Sequence, residues 1–562
     1  MRRRLTSTSL TRVRTAHTVA RPDANLGNTV ATNTDLIVRM LKRAGIGEGF
    51  GIPSGNVIPL IDSMRAGGMR FVLTAHEGSA AFAADVVGRM TGRPGLCIAT
   101  HGPGATNLTT GVGCAYLDRS PLLAITCNIP TAQFGRRVQM HIPHHDLFAP
   151  ITKASLELRP GGIATTIAEA VRLALTEPVG PVHLDLPEDV AVAETSESEV
   201  DIPPPARLSP AAQEALAEAQ ALIARAKRPI AVIGASAMRM HRPELLRRFV
   251  ERHRMPFATT TMAKGLIDEA HPLAIGCIER ARRQVQREFL RGADLIVGLG
   301  YDTVEVEYEA WIKNVPLLHV DIARADVDAS VRIAHQVVGD LDSAIEPLAG
   351  GLSACDWTEA AIAAHRERFQ ASLRPRTASF SPHQAIDVVR EVLPKEGVLA
   401  FDVGAHTHQI GSQWAAHAPR SFLITNGWSS MGFGLPAAIA AKLARPDLPV
   451  VAVIGDGCFQ MTCGEVAVAK RYGLAIPIVV LDDRWLALIK VKQQRRNLAL
   501  YGTELQAEPY GTPPAHYFGV PAVGATTPAA LASALKQALA ANGPTVIEAV
   551  VDASHYTETV YD

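Results

Sequence analysis

At 562 residues, 47% of them apolar, the chain is too long for one core and reads as about three domains. Lys plus Arg and Asp plus Glu number 55 each, a balance that argues against a nucleic-acid or membrane-surface role for the body. No apolar run reaches the length of a membrane span, and seven cysteines without a C-x-x-C pair read as buried free thiols in a reducing, cytoplasmic setting.

Residues 1–28 are rich in Arg, Ser and Thr and carry no acid before Asp23. The composition imitates an organelle transit peptide, but a disordered arm over 1–29 is the preferred reading. The ordered chain then begins with TDLIVRMLKRAGI, apolar at helical spacing. A strand and Gly/Pro turn (GEGFGIPSGNV), a strand leading into a small-residue helix (RFVLTAHEGSAAFAADVVGRMTG) and a strand–GPGATN–helix unit follow. PLLAITCNIP and GPVHLDLPEDV are further buried strands. Strands alternating with helices predict a doubly wound parallel sheet, here over 30–195. A polar, Pro-rich linker leads to a second α/β domain, 205–350, with strands in PIAVIGAS, FATTT, ADLIVGLG and LLHVDI. It lacks a full G-x-G-x-x-G, so an independent dinucleotide site has little support. A third α/β domain, 380–555, runs from GVLAFDVGAHTHQ to PTVIEAVV.

Inside the third domain, VVAVI ends in Gly455-Asp456-Gly457, continues as a helix, and returns as IPIVVL to end in Asp482-Asp483. A strand, a tight Gly turn and a helix start leave unpaired backbone N–H groups pointing outward, which suits phosphate. Asp456 and the acid after the next strand should meet at one edge of the sheet. Two hard oxygen ligands beside a phosphate suit Mg²⁺. On this stretch alone, a chance turn and a solvated Asp-Asp pair stay open as alternatives.

Several separated segments carry a resemblance: AHEGSAAFAAD, GRPGLCIATHGPGATNL, EPVGPVHLDLPEDV, TTTMAKGLIDEAHPL, DVGAHTHQ, GWSSMGFGLPAA and GDG…DD. Together, over about 30–555, they resemble the thiamine-diphosphate (ThDP) decarboxylase and acetohydroxyacid synthase superfamily, and within it the acetolactate synthases. The resemblance implies pyrimidine-binding, middle and diphosphate-binding domains in that order. It implies that Glu77 activates the cofactor by protonating its pyrimidine ring, and that Met431 props the cofactor in a bent shape. Ser429 would offer its carbonyl to the aminopyrimidine. His406, Thr407, Gly457 and Cys458 would contact the diphosphate, and Gly55 would face cofactor and substrate. Mg²⁺ would be held by Asp456, Asp483 and the backbone oxygen of Trp485. Glu77 would serve the cofactor of another subunit, so a homo-oligomer with its active site at the interface is expected. Some members bind FAD in the middle domain; GYDTVEVEYEAW resembles the FAD-independent type, so FAD stays open without support.

The departures fall on the metal pair and on the substrate side. Asp482-Asp483 replaces a usual Asn-Asn or Asn-Asp pair. His101 replaces a commoner small residue before GPG, and Gln139 matches a donor-contacting Gln only across a one-residue gap. Lys492 stands where synthases that favour 2-oxobutyrate carry Trp; facing solvent is the alternative. His141, His144 and His145 invite a metal reading, but their spacing fits no defensible loop-borne site; a surface loop is preferred over a decarboxylase-like acid/base role. The expected activity is decarboxylation of a 2-oxo acid, pyruvate, with carboligation to a second carbonyl. A non-oxidative decarboxylase, or a carboligase with another acceptor, is the rival; a non-catalytic ThDP-fold binding protein ranks last because Glu77 and Asp456 are both present.

Overall fold

The computed structural model describes residues 31–351, 355–506 and 513–560; the N-terminal arm expected over 1–29 lies outside them. Three parallel-sheet α/β units follow one another along the chain. The first sheet holds β1 (Glu48–Gly51), β2 (Arg70–Leu73), β3 (Gly95–Thr100), β4 (Leu122–Asn128), β5 (Ala154–Glu157) and β6 (Pro181–Pro187), in the order 2-1-3-4-6-5. The second holds β7 (Pro229–Ile233), β8 (Phe257–Thr259), β9 (Ala274–Cys277), β10 (Leu295–Leu299), β11 (Leu317–Asp321) and β12 (Ile333–Val338), in the order 12-11-10-7-8-9. The third holds β13 (Val398–Phe401), β14 (Phe422–Leu423), β15 (Val450–Gly455), β16 (Pro477–Asp482), β17 (His516–Tyr517), β18 (Val520–Ala525) and β19 (Thr545–Val550), in the order 14-13-15-16-19-18-17. Every pairing is parallel except the short β17–β18 hairpin.

The central strands β3, β4 and β6 are buried at every position, as the apolar runs predict for a sheet covered by helices on both faces. Each sheet has a point where successive connections run to opposite sides: between β1 and β3, between β7 and β10, and between β13 and β15. Helices leave for opposite faces there, so a crevice opens beyond the carboxyl ends of those strands. The sequence's candidate residues gather at the first and third of these crevices.

The first and third units pack on each other through the helices Glu77–Thr91 and Gly434–Ala444, whose small residues share one core with both sheets. Phe82 and Phe433 meet edge to face there, with ring centroids 5.6 Å apart. Glu465 of the third unit accepts the backbone N–H groups of Ala75 and His76 on a single oxygen, at 3.0 and 3.2 Å. All seven cysteines are free, five of them buried. Among the described residues no helix is long and apolar enough to cross a membrane.

Candidate active site

At the third crevice, Asp402 follows β13 and β15 leads into the Gly455–Gly457 turn. The helix expected after this turn is two short ones, Asp456–Thr462 and Glu465–Arg471, broken at Cys463 and Gly464. Asp456 is buried; Gly457 N–H donates to its Oδ1 at 2.8 Å and Arg484 N–H to its Oδ2 at 2.8 Å. The segment after β16 therefore folds back onto the turn and brings Asp483 alongside Asp456. Burial and then the repulsion of Asp483 push the Asp456 carboxyl well above its ordinary value, and burial raises Asp483 as well. Trp485 N–H donates to Asp483 Oδ1 at 3.0 Å. Arg484 O and Leu486 N–H bond to the 503–505 segment, so the alternating backbone turns the Trp485 carbonyl to the other side, where its N–H meets Asp483.

His406 lies over the turn. A Cβ on Gly455 would come within 3.1 Å of its ring, and one on Gly404 within 2.8 Å. Its Nε2 is buried with no hydrogen-bond partner, and burial holds the ring down to about 4. Thr407 spends its hydroxyl on the local cap, accepting from Gly404 N–H at 2.7 Å and donating to Asp402 O at 2.6 Å. The Cys458 thiol donates to Val403 O at 3.2 Å, and burial raises it far above the ordinary thiol range. Met431 reaches the same turn: a Cβ on Gly457 would sit 3.4 Å from its methyl carbon. The strained Ser429 (φ +51°) precedes it, with its hydroxyl donating to Asn426 O at 2.7 Å. Sequence reasoning missed Asp402, a fully buried carboxylate that accepts Gly432 N–H and Gly434 N–H at 2.9 and 3.0 Å and so fixes the Met431 segment.

These groups fit a diphosphate with its cation. Two buried carboxylates repel each other, an orphaned imidazole nitrogen overlooks a glycine turn, and hard oxygen donors suit Mg²⁺.

At the first crevice, Glu77 opens its helix rather than closing β2; it is 9% exposed and accepts from Asn107 Nδ2 at 3.0 Å. Gly55 is exposed on a short 3₁₀ turn with open space above it. Gly102 has φ +60°, and the Met140 carbonyl would lie 2.2 Å from a Cβ there, so only glycine lets the loop bearing the exposed Gln139 pack on the GPG turn. His101 is half-buried beside it.

The histidine cluster is not a surface loop throughout. His144 is buried and bonds Asp185 Oδ1 through Nδ1 at 2.9 Å. Thr126 Oγ1 lies 2.9 Å from His144 Nδ1, 2.7 Å from His183 Nε2 and 3.1 Å from Asp185 Oδ1. Ser155 joins His183 Nδ1 to His145 Nδ1, at 2.7 Å each. No local spacing announces this hub, because its members come from three strands and a helix.

Lys492 is half-buried on the helix Ala487–Arg495. Lys490, two positions earlier and so on another face of that helix, stacks on the Trp485 ring at 3.9 Å and lines a cavity of about 620 Å³ with Asp483 and Tyr556. Sequence reasoning passed over Lys490.

The middle crevice is filled by the chain itself. The buried Glu305 carboxylate accepts from Ala235 N–H at 3.0 Å, Met262 N–H at 2.9 Å and Thr260 Oγ1 at 2.6 Å. A flavin dinucleotide does not fit this turn: its phosphates would have to displace Glu305.

The chain matches three family models: the N-terminal TPP binding domain of thiamine pyrophosphate enzymes over residues 31–149, their central domain over 216–348, and their C-terminal TPP binding domain over 402–549. It belongs to the thiamine pyrophosphate (thiamine diphosphate) enzymes and depends on that cofactor. Within that class it is similar to acetolactate synthases. It is 31% identical to the probable acetolactate synthase large subunit of Methanocaldococcus jannaschii, over 92% of this chain and 91% of that one. It is 30% identical to the large subunit of Lactococcus lactis over 85% and 87%, and 28% identical to the acetolactate synthase of Bacillus subtilis over 92% and 93%.

Proposed function

We propose that this enzyme decarboxylates a 2-oxo acid, pyruvate, and joins the remaining carbon unit to a second carbonyl, giving 2-acetolactate when both substrates are pyruvate. The observation that carries this reading is the near full-length similarity to acetolactate synthases. Bound thiamine diphosphate supplies the carbon nucleophile and the electron sink for loss of CO₂. The chain's residues bind, orient and move protons around it. Asp456, Asp483 and the Trp485 carbonyl would hold Mg²⁺ against the diphosphate. His406 and the backbone N–H groups of Gly457 and Cys458 would bind the diphosphate. Thr407 shapes this cradle through its cap. Met431 and the Ser429 carbonyl set the pyrimidine. Glu77, steadied by Asn107, exchanges a proton with the pyrimidine nitrogen. It does so across a subunit interface, so the working unit is at least a homodimer. Gly55, His101, Gln139 and Lys492 face the substrate side.

A second reading, release of an aldehyde without carboligation, is favoured by one observation: a histidine, His101, stands at the GPG turn. Incubation with pyruvate, thiamine diphosphate and Mg²⁺ separates the two by product; acetolactate is expected, and aldehyde alone supports the second. Glu77→Gln should lower turnover by at least about 10²-fold with Tm unchanged, and near-normal activity of a folded variant would refute the role given to Glu77.

A further inference from the structure

His101 is held from one side by an amide that cannot turn over. Asn56 Nδ2 lies 2.7 Å from His101 Nδ1 and also donates to Cys127 O at 2.8 Å, while Asn56 Oδ1 accepts from Thr100 Oγ1 at 2.8 Å. Reversing the amide would set its oxygen against the Cys127 carbonyl, which can only accept; Thr100 Oγ1, its proton given to Asn56 Oδ1, lies farther from His101 Nδ1, at 3.3 Å. Asn56 is therefore the donor and His101 Nδ1 the acceptor, which leaves the single proton of a neutral ring on Nε2. The titratable groups facing this ring are His144, His141, Glu188 and Asp185. Burial and the two histidines outweigh the two acids and keep His101 below the ordinary histidine value.

We propose that Asn56 is a tautomer lock: it makes His101 a neutral Nε2–H donor to a substrate oxygen, and that neutrality directs the reaction toward carboligation. This rests on the 2-oxo acid reading above. When the bond between the carboxylate and the carbonyl carbon breaks and CO₂ leaves, the donor's remaining carbon holds an electron pair. Attack on a second carbonyl forms a carbon–carbon bond and moves the pair to the acceptor oxygen, which takes one proton from solvent. Protonation of the carbon instead gives an aldehyde, again with one proton consumed per CO₂. An imidazolium at this turn is an acid that can protonate the carbon; a neutral imidazole N–H orients an oxygen without giving up its proton. Asn56 is thus a positioning residue acting through His101.

Three variants and one spectrum test the proposal. His101→Gln keeps an N–H donor near the Nε2 position, whereas His101→Asn offers one near Nδ1. The first should retain most of kcat/KM and the second should lose about 10²-fold, the scale of one oriented donor. Asn56→Asp, nearly isosteric, presents a carboxylate oxygen to Nδ1, draws a proton there and stabilises the cation. It should raise the ratio of aldehyde to hydroxy-oxo acid by about tenfold or more, with the affinity for thiamine diphosphate unchanged. ¹⁵N NMR of histidine-labelled protein without cofactor should show His101 with Nδ1 bare and Nε2 protonated, and a proton on Nδ1 in Asn56→Asp. Equal losses in the two His101 variants, a wild-type product ratio in Asn56→Asp, or a proton on Nδ1 in the wild-type ring would each overturn it. If the wild-type protein turns over no 2-oxo acid, the functional reading fails by itself and the NMR result alone decides the lock.

Discussion

Arg89 sits between two buried carboxylates, Asp85 and Asp118 (2.8 Å from the latter), and donates to the carbonyl of Ile424, tying the first unit to the third. Both acids and their electrostatic pull hold the guanidinium in its charged state against burial. Arg89→Met would strand two negative charges, and a loss of about 3–5 kcal/mol in unfolding free energy is expected; an unchanged denaturation midpoint would contradict the network's role. Lys492 carries a prediction of a different kind. If it borders the acceptor as proposed above, a cation there disfavours an aliphatic acceptor, so pyruvate alone should react at least as fast as pyruvate with 2-oxobutyrate, and a clear 2-oxobutyrate preference in steady-state rates would sink the idea. At this scale, legibility followed distance along the chain. Asp456 and Glu77 stand inside short motifs whose residue types announce their chemistry. Asp402 and Asn56 do not, since Asp402 acts on Gly432 and Gly434 and Asn56 on His101, tens of positions away.

Among elements, the helices Glu77–Thr91 and Pro103–Leu117 approach closely because Gly111 faces Ala81 and Phe82; a Cβ there would lie 2.5 Å from Ala81 Cβ and 2.7 Å from Phe82 N. The second contact is backbone and cannot yield. Gly111→Leu should cost about 1–3 kcal/mol and weaken the Asn107–Glu77 contact one turn away, read as a lower Tm together with a lower kcat; a variant as stable as wild type would show that the helices part freely. The strands that sequence reading recovered are the buried ones, β3, β4, β6, β7, β10, β11, β15, β16 and β19 among them. It passed over β5, β12, β17 and β18, whose half-exposed patterns carry no apolar run, and the four-residue β9. The GDG helix was read as one because Cys463-Gly464 interrupts the apolar spacing without a proline to mark the break.

Across the whole molecule, the succession of three α/β units was written in the alternation of strand and helix, whereas how the first and third units meet was not. Glu465 is the sharpest example: its carboxylate grips the backbone just ahead of Glu77. Burial pushes it up to about 7 from an ordinary 4.5, against the N–H groups of Ala75 and His76 and the hydroxyl of Ser79. A raised folded-state value means that the folded protein binds this proton more tightly than the unfolded chain. Stability from the protonated form is full below pH 4.5 and is lost as pH rises through about 7. Both backbone donors use one oxygen, which a glutamine retains. Glu465→Gln should therefore lose less Tm than wild type across that window, and parallel Tm profiles for the two proteins would rule this out.

A protein proposed to hold Mg²⁺ at one site has to decline other divalent ions elsewhere. His144, His183 and Asp185 bring ligand atoms within 4.8 Å of one another in a buried pocket, a donor set that zinc or copper would choose over magnesium. The Thr126 hydroxyl stands at the centre of that set and satisfies all three members. One hydroxyl oxygen thus plugs the point from which an ion would have to reach all three ligands, and spends them on hydrogen bonds instead. Removing the plug, as in Thr126→Gly, would turn a structural hub into a zinc trap beside the GPG turn and make the enzyme sensitive to trace transition metals.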